Sequence, residues 1–578
     1  MNKILVPVLL LISVYATAQN KPFIRLVDVP RDNIKVRNPV QYLSGSTCKD
    51  CLLSINGTKV KVYPTGAFAY ELNLELGLNV FNIVATAAPN AVNRKLTYQY
   101  SKPVRDTVKT FEIDSFEVFP KGNLVVQAGD RISFRVKALT GCNAMVNGNI
   151  PLFELATSDT NRMPGIYQGE YRIKETDTFM LSPVRVTIAN EEGKTLSKIS
   201  STKISMMSPW GPDMLVTRGR LAFLLFGLGE DRLGGAKIGY IDSLIPLRMI
   251  GRVDSNYKVQ LSKYRTAYVP ADVVSFLPRG TFTPTSLTGN WKVWGDSLYD
   301  YVSVGLSSRL PYQAAQQIDP AKIVVDIFGA TNNSNWIIQM ENVKEIKNVY
   351  YEQTEDEVYR VTIDLKHKQH WGYQIYYNNN NLVIKVRRQP ADLALQNIKI
   401  AVDAGHGGSN SGAEGLTGSS EKALTLAVSL KLQKKLEELG AKVIMTRTTE
   451  KFVDNKDRIL FYRDSLPDLL VSIHLNSAGD PIHVSGASTY YRHIGFRDLS
   501  HAIYKRMLET GLKEFGNTGS FNFMLNSPTE YPNALIELLF LSNPEDEMKI
   551  LDQDFQQQLV DKIVMGIQDF LEGAKSGF

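Results

Sequence analysis

Two histidines and one glutamate in the last third of the sequence are residue types that bind a catalytic metal. His406 follows a short apolar stretch and stands among glycines in the string DAGHGG. His474 follows a second apolar stretch, and Glu421 opens a long amphipathic run. Histidines at strand ends and a carboxylate at a helix start can converge on one point, and with a water they form a common ligand set of catalytic zinc. No cysteine lies in this region, which excludes a sulfur-rich structural zinc site.

Glu537 is a fourth candidate, because it is a carboxylate inside the otherwise apolar run ALIELLF. Burying an unpaired carboxylate is costly, so glutamate is rarely found in protein interiors without a specific role. A metal-bound water needs a base, and we assign Glu537 to that task. The alternative is a structural glutamate at a strand end that pairs with a nearby arginine or lysine.

The pattern of elements after residue 398 predicts how these side chains are positioned. Apolar strand-like runs alternate with amphipathic helix-like runs, which is typical of a sheet with helices on both faces. The first helix, over 421–439, has Ser420 as its N-cap and Gly440 as its C-cap. We expect strands at 398–402, 443–445, 469–473, 487–491 and 534–536, and further helices near 457–465, 499–510 and 555–571.

Six short motifs in this region, taken in order, resemble those of the zinc-dependent N-acetylmuramoyl-L-alanine amidases. They are Asp403-Ala404-Gly405-His406-Gly407-Gly408, Gly412-Ala413, Glu421-Lys422, Thr446-Arg447, Ser472-Ile473-His474 with Asn476, and Glu537 with Phe540-Leu541-Ser542-Asn543. The resemblance covers about residues 398–571. It implies Zn²⁺ held by His406, Glu421 and His474, with Glu537 as the catalytic acid and base. The implied substrate is peptidoglycan, cleaved at the amide between N-acetylmuramic acid and L-alanine.

Three departures from the family's pattern bear on the site. Asn410 stands where the family often has aspartate, a change that removes no metal ligand. Leu539 stands where a glycine usually precedes the phenylalanine. The interval between His474 and Glu537 is short and lacks the insertion that carries a covering helix in regulated members. We therefore predict a preformed, open cleft, with any control exerted by the N-terminal domains or by a protein partner.

The remaining histidines and arginines near these motifs are weaker candidates. Substrate contact competes with a surface or packing role for His483 and His493, and the second role is favoured. Arg447 and Arg458 are expected to hold the fold together through charge pairs rather than to contact substrate.

The sequence before the metal-binding motifs predicts several all-β domains. Short alternating apolar runs separated by turn signals, such as Asn56-Gly57 between two such runs, are typical of hairpins. We expect, in order, an immunoglobulin-like sandwich at 23–102, a second immunoglobulin-like domain at 103–206, an SH3-like barrel at 207–280, a β-rich targeting-type domain at 281–392 and the catalytic α/β domain at 396–575. Within the fourth of these domains, residues 373–381 hold an aromatic group and four consecutive asparagines, and we expect a turn there. The predicted fold class is thus multidomain, all-β followed by α/β.

The first two of these domains carry a weak internal repeat. Cys51 lies five residues before Asn56-Gly57, and Cys142 lies five residues before Asn147-Gly148. The string Gly66-Ala67-Phe68 is echoed by Gly165-Ile166-Tyr167. Equal spacing of this kind indicates two copies of one module. Such modules could bind a ligand or act as spacers, and we favour spacers.

Composition and the N-terminus restrict the class of protein. The 578 residues carry a net charge of only +6 and no dense run of basic residues, so nucleic acid is not an expected partner. Residues 1–18 read as a secretory signal peptide, with a positive start, an apolar run too short to span a membrane and an Ala-x-Ala cleavage site. No later stretch is apolar enough for a transmembrane segment. We expect an exported protein, periplasmic or secreted.

Cysteine usage leaves one point open. Cys48 and Cys51 could form a small disulfide in an oxidising compartment or remain two thiols, while Cys142 is expected to be free and buried.

Two other functions compete with the amidase. One is a non-catalytic wall-binding protein with an inactive amidase-like domain, and the presence of all three ligands and the base argues against it. The other is a zinc peptidase acting on stem peptides, but no His-Glu-x-x-His motif frames His406 or His474.

Overall fold

The computed structural model describes residues 21–577, apart from 28, 30, 103–106, 158–162, 209–212 and 230–232. The predicted signal peptide, 1–18, lies outside the described residues. As predicted, β structure occupies the chain up to residue 387 and an α/β domain follows. We refer to the parts as the first (21–102), second (107–208), third (213–277) and fourth (281–390) β domains and the C-terminal domain (393–577).

The first β domain is a sandwich of a three-stranded sheet, β1-β3-β6, and a five-stranded sheet, β2-β8-β7-β4-β5. The inward side chains of both sheets form one buried cluster around Leu43, Phe68 and Ile83. Cys48 and Cys51 form a disulfide within it. The strands are Arg25–Leu26 (β1), Asn33–Val36 (β2), Val40–Ser46 (β3), Leu52–Ile55 (β4), Thr58–Val60 (β5), Ala67–Asn73 (β6), Gly77–Ala87 (β7) and Asn90–Tyr100 (β8).

The second β domain has the same asparagine-glycine turn as the first. Asn56 and Gly57 turn with φ of 48° and 82°, and Asn147 and Gly148 do so with 49° and 81°. Each asparagine side chain also accepts a hydrogen bond from a neighbouring strand. Cys142 is buried and free. The strands are Ile113–Phe119 (β9), Leu124–Val126 (β10), Arg131–Ala138 (β11), Asn143–Val146 (β12), Ile150–Glu154 (β13), Ile166–Arg172 (β14), Ser182–Ala189 (β15) and Thr195–Met206 (β16).

The third β domain continues the sheet of the second. Strand β10 pairs with β16 on one side and with β20 on the other, so one hydrogen-bonded sheet runs through both domains. Its strands are Met214–Thr217 (β17), Phe223–Leu225 (β18), Lys237–Tyr240 (β19), Pro246–Val253 (β20), Asn256–Gln260 (β21), Thr266–Pro270 (β22) and Val274–Phe276 (β23). The immunoglobulin-like and SH3-like labels stay predictions.

The fourth β domain packs a five-stranded sheet, β30-β25-β26-β34-β33, and a four-stranded sheet, β27-β28-β32-β31, into one hydrophobic cluster with the third. The prediction of a turn over 373–381 was wrong: Tyr373–Asn378 is a strand, and only Asn379 and Asn380 turn, because the tyrosines pair across the hairpin with the strand that follows. The strands are Ser286–Leu287 (β24), Trp291–Gly295 (β25), Tyr299–Val304 (β26), Tyr312–Ile318 (β27), Ala321–Phe328 (β28), Ala330–Thr331 (β29), Ile337–Gln339 (β30), Ile346–Glu355 (β31), Val358–Leu365 (β32), Tyr373–Asn378 (β33) and Asn381–Arg387 (β34).

The C-terminal domain is a six-stranded sheet, β36-β35-β37-β40-β38-β39, with five helices. Its core also contains Trp371 of the fourth β domain, which is 1% exposed and packs against Phe570. The strands are Lys399–Ala404 (β35), Lys442–Ile444 (β36), Leu469–Asn476 (β37), Ala487–Tyr490 (β38), Glu514–Thr518 (β39) and Asn533–Phe540 (β40). The helices are Glu421–Glu438 (α1), Asn455–Ser465 (α2), Arg497–Leu508 (α3), Pro544–Leu551 (α4) and Gln553–Ser576 (α5).

All predicted elements of this domain are present, but the sequence patterns missed β39 and α4. Strand β39 has the sequence EFGNT and lies at the sheet edge, where little apolar alternation is needed. Helix α4 has only eight residues and is fixed by Asn543, whose side chain accepts hydrogen bonds from two amides of its first turn. Neither element has the length on which periodicity depends. No helix within the described residues is both long and apolar enough to cross a membrane.

Candidate metal centre

The site lies at the carboxyl ends of three parallel strands. Strands β35, β37 and β40 are hydrogen-bonded neighbours, so the residues that end them share one edge of the sheet. His406 follows β35, and His474 lies near the end of β37. In the register between β37 and β40, His474 stands directly beside Glu537. Neighbouring strands are about 4.8 Å apart, so this register alone brings the predicted base next to a predicted ligand.

The three predicted ligands converge on one point. Glu421 Oε1 lies 3.0 Å from His406 Nε2 and 3.1 Å from His474 Nδ1. The ligand atoms all lie within 4.8 Å of one another, and within the described part of the chain no other group of three such residues does so. Two imidazole nitrogens and one carboxylate oxygen, at this spacing, suit a zinc ion with an open fourth position. The donor set therefore fits the metal that the resemblance implies.

Electrostatics hold Glu421 as an anion. Burial alone would raise the pKa of this carboxyl, which is 3% exposed, but its hydrogen bonds to His406 and His474 outweigh burial and hold the pKa well below the usual range. For His474, burial acts to lower the pKa, while the hydrogen bond to Glu421 and the nearby charge of Glu537 raise it. The net effect is a raised pKa for His474, and the carboxylate of Glu421 stays charged and suited to a cation.

Two glycines are required by the space that the ligands occupy. A Cβ at Gly405 would overlap the ring of His474, which lies across the backbone there. A Cβ at Gly412 would overlap the carboxylate of Glu421, and its φ of +67° also disfavours a side chain. These close approaches explain why glycine stands beside His406 and in the loop before α1.

Asn410 and Arg458 hold His406 in place. His406 has a φ of +59°, an uncommon value for a residue with a side chain. Its carbonyl accepts a hydrogen bond from Arg458, and its Nδ1 lies 3.0 Å from Asn410 Oδ1. A proton on Nδ1, donated to Asn410, leaves Nε2 with its lone pair facing Glu421. Asn410 thus does what an aspartate at this position would do for the ring.

The buried Asp403 anchors the loop from below. It accepts hydrogen bonds from Arg458 Nη1 at 2.8 Å, Ser472 Oγ at 2.9 Å and Tyr462 Oη at 3.1 Å. The Arg458–Asp403 ion pair is almost fully buried and outweighs the effect of burial, so the pKa of Asp403 is lowered. The charge pair predicted for Arg458 is therefore present, and the same side chain also lines the cleft.

Arg447 forms the predicted charge pair, with Glu450 at 3.8 Å. It also donates to the backbone carbonyls of Ala404, Gly405 and Lys422, at 2.7–2.9 Å, which was not predicted. Loop carbonyls at a strand end need donors when they are buried, and sequence patterns do not reveal which side chain supplies them.

Glu547 is a further residue that the sequence patterns missed. It is fully buried, and its Oε1 accepts hydrogen bonds from Thr417 N, Thr417 Oγ1 and Ser419 Oγ at 2.7–3.0 Å. These bonds fix the loop that leads from His406 to Glu421. Recognising a helix over 544–551 would have pointed to Glu547, but the sequence patterns did not reveal that helix.

A cleft of about 470 Å³ opens over the three ligands. Glu537 lines it and is 8% exposed. Phe452, about half exposed, forms one side of the cleft. Residues 523–525 form another part of its wall. Among the described residues, none of α3 lines the cleft, whereas 523–525 from the same interval do. The lack of a covering helix stays a prediction.

Leu539, at the position usually held by glycine, is fully buried in the core. The register of β37 and β40 shifts there, between the pairs His474–Glu537 and Asn476–Phe540, so β40 has a local irregularity directly after Glu537.

The two other histidines considered lie outside the cleft. His493 Nε2 donates to the carbonyl of Ser527 at 3.0 Å, and burial, with the charges of Arg492 and Lys237, lowers its pKa to about 4. His483 pairs with Asp480 at 3.0 Å. Both therefore have the packing or surface role that was favoured.

Comparison with known proteins agrees with the resemblance drawn from the motifs. Residues 400–569 match the family model of N-acetylmuramoyl-L-alanine amidases, and residues 290–386 match that of the AMIN domain. The probable cell wall amidase LytH of Staphylococcus aureus is 36% identical over 176 residues, which are 30% of this chain and 58% of LytH. The chain therefore spans little more than half the length of this relative.

Solved structures with similar sequences are also amidases. The N-acetylmuramoyl-L-alanine amidase from Clostridium difficile 630 is 31% identical, and the match covers 30% of this chain and 97% of that one, with a TM-score of 0.29. The catalytic domain of CwlV from Bacillus (Paenibacillus) polymyxa var. colistinus is also 31% identical, over 30% of this chain and 98% of that one, with a TM-score of 0.29.

Proposed function

We propose that this protein, which carries an N-acetylmuramoyl-L-alanine amidase domain over residues 400–569, is an exported zinc hydrolase of peptidoglycan. The bond cleaved is the amide between N-acetylmuramic acid and L-alanine. The observation that carries the proposal is the register of β37 and β40, which places Glu537 beside the cluster of His406, Glu421 and His474. A binding protein would have no need of a carboxylate at that position.

Each group in the cleft has a defined task in the reaction. His406, Glu421 and His474 would hold the zinc ion, which when bound supplies a Lewis acid and an acidified water. Glu537 accepts the proton of the attacking water and then delivers it to the amide nitrogen, so that the amine of L-alanine can leave. Asn410 and Arg458 keep the His406 ring and backbone in position during these steps.

The fourth β domain supports the assignment to peptidoglycan. Its five-stranded sheet presents Trp294 stacked on Tyr301 at 5.1 Å, with Lys292 over the first ring and Lys385 over neighbouring Tyr299. Aromatic faces suit the apolar side of sugar rings, and lysines suit carboxylates. We infer that this face contacts the wall polymer. We also infer that the enzyme acts outside the cytoplasm. Any protein activator would act through the β domains.

Digestion of purified sacculi tests the reaction. The full chain should release free stem peptides and leave intact glycan strands, identified by mass spectrometry. The Glu537→Gln variant should keep its zinc and lose at least about 10²-fold of the rate. Cleavage within the stem peptides would instead support the zinc peptidase, and binding of sacculi without products would support the non-catalytic protein.

A further inference from the structure

The segment 521–527 of the C-terminal domain has two faces, one on the cleft and one on the third β domain. It is a loop followed by one turn of 3₁₀ helix over Met524–Asn526, with no strand partner of its own. Phe523, Met524 and Leu525 line the cleft together with Glu537. One backbone hydrogen bond, from Phe521 N to the carbonyl of Tyr491, joins the start of the segment to the residue after β38, and side chains make the remaining contacts described below.

The third β domain supplies several of these contacts. Asn522 Nδ2 donates to the carbonyls of Leu233 and Gly235, at 3.0 and 3.1 Å. Arg492 donates to Asn522 Oδ1 at 2.8 Å, and also donates to the carbonyl of Lys237. One amide side chain thus joins the cleft wall, a neighbouring loop of the same domain and the backbone of another domain.

A second contact holds the far end of the segment. Lys237 Nζ donates to Ser527 Oγ at 3.4 Å, and His493 donates to the Ser527 carbonyl. Phe521 and Phe523, on either side of Asn522, pack against each other and against Tyr490, with ring centroids 4.6–5.2 Å apart. Asn526 also donates to the carbonyl of Tyr490 at 3.2 Å. Contacts within the C-terminal domain and contacts with the third β domain thus hold the segment together.

We propose that the third β domain positions this wall of the metal cleft through Asn522, and so sets how tightly the cleft holds its substrate. Asn522 is a positioning residue: it contacts neither the metal ligands nor Glu537 but fixes Phe523–Leu525 beside them. The inference rests on the proposed function for its kinetic part only. Its structural part, the ordering of the wall by another domain, stands without it.

Two variants of the full chain test the proposal. Asn522→Asp keeps an acceptor for Arg492 but replaces both donors to the third domain by a carboxylate that faces two carbonyls. Asn522→Ala removes all three bonds. The control is Arg220→Ala, which breaks another contact between the same two domains, the ion pair with Asp464, without touching the wall. Thermal unfolding confirms that each variant is folded.

Hydrogen exchange by mass spectrometry and steady-state kinetics give the two readouts. For both Asn522 variants we expect amide exchange across 523–527 to be about tenfold faster, KM for a soluble muropeptide to rise about five- to tenfold, and kcat and zinc content to stay within about twofold. Arg220→Ala should change none of these.

Unchanged exchange across 523–527 in both Asn522 variants would overturn the inference, as would equal changes in Arg220→Ala. If exchange rises but no variant, nor the unaltered chain, hydrolyses muropeptide, the proposed function fails and the positioning of the wall by the third domain still stands. If exchange rises while KM is unchanged in an active enzyme, the part of the inference that concerns substrate is refuted.

Discussion

Replacing Asn410 tests whether its hydrogen bond determines how well His406 binds a metal. In Asn410→Ala the Nδ1 proton of His406 loses its acceptor at 3.0 Å, and Gly412 N loses the same oxygen at 3.2 Å. The ring is then free to rotate and to take the other tautomer, with Nδ1 rather than Nε2 unprotonated. Loss of such an outer partner typically weakens metal binding about 10- to 100-fold, or roughly 1.4–2.7 kcal/mol. We expect a loss in that range.

The measurement is zinc affinity by competition with a chromophoric chelator, which needs no turnover. Asn410→Asp keeps the acceptor oxygen and adds a charge, so it should bind zinc at least as tightly as the unaltered protein. Asn455→Ala is the matched control, because Asn455 lines the same cleft but has no contact with the three ligands. If Asn410→Ala keeps full affinity, the role assigned to this hydrogen bond is wrong.

Three further changes probe the support of the site. Gly405→Ala should abolish zinc binding, because its Cβ would occupy the place of the His474 ring; metal analysis of the purified protein measures this. Arg458→Met leaves Asp403 buried without its cation and should cost about 3–5 kcal/mol of unfolding free energy in urea. The pKa of His493 is lowered to about 4 in the folded protein, against about 6.5 in the unfolded chain. The neutral His493 therefore contributes fully to the free energy of unfolding above pH 6.5, and this contribution, about 3 kcal/mol, is lost as the pH falls from about 6.5 to 4. His493→Gln should remove this pH dependence of unfolding.

Each of these has a control and an outcome that contradicts it. Gly479→Ala adds a methyl group where nothing lies within 4 Å, and should keep its zinc. Lys456→Met removes an exposed ion pair on the same helix as Arg458 and should cost less than about 1 kcal/mol. Normal zinc content in Gly405→Ala, equal losses in the two helix variants, or an unchanged acid profile in His493→Gln would each refute the corresponding argument.

The sequence was sufficient to predict which residues lie together because the proposed chemistry depends on residue type and on position in the strands. His406 and His474 stand where an apolar run meets polar residues, Glu537 is the one charged residue in an apolar run, and parallel strands bring such positions together. The same reasoning found the α/β order of the C-terminal domain and the hairpin turn at Asn56-Gly57, because glycine and asparagine accept positive φ. Local rules of this kind can be applied to a single sequence.

What could not be predicted depends on contacts between distant parts of the chain. Nothing in the spacing of Glu547, Arg447 or Asn522 reveals that they hold loops whose sequence lies far away. The turn over 373–381 was predicted too long for another reason: four asparagines favour a turn, while the tyrosines before them pair across the hairpin with β34. Strand pairing overrides local preference there.

The pairing of β10 with both β16 and β20 has a mechanical consequence. Modules joined only by flexible peptide linkers move independently, and the range of distances between them grows with linker length. Here the second and third β domains share one sheet through the pairing of β10 with β20, so turning one domain against the other would break backbone hydrogen bonds. The second and third β domains therefore act as one joined unit rather than as two modules on a flexible linker. Under the proposed function, such a joint would set both how far the C-terminal domain reaches and the angle at which it meets the polymer.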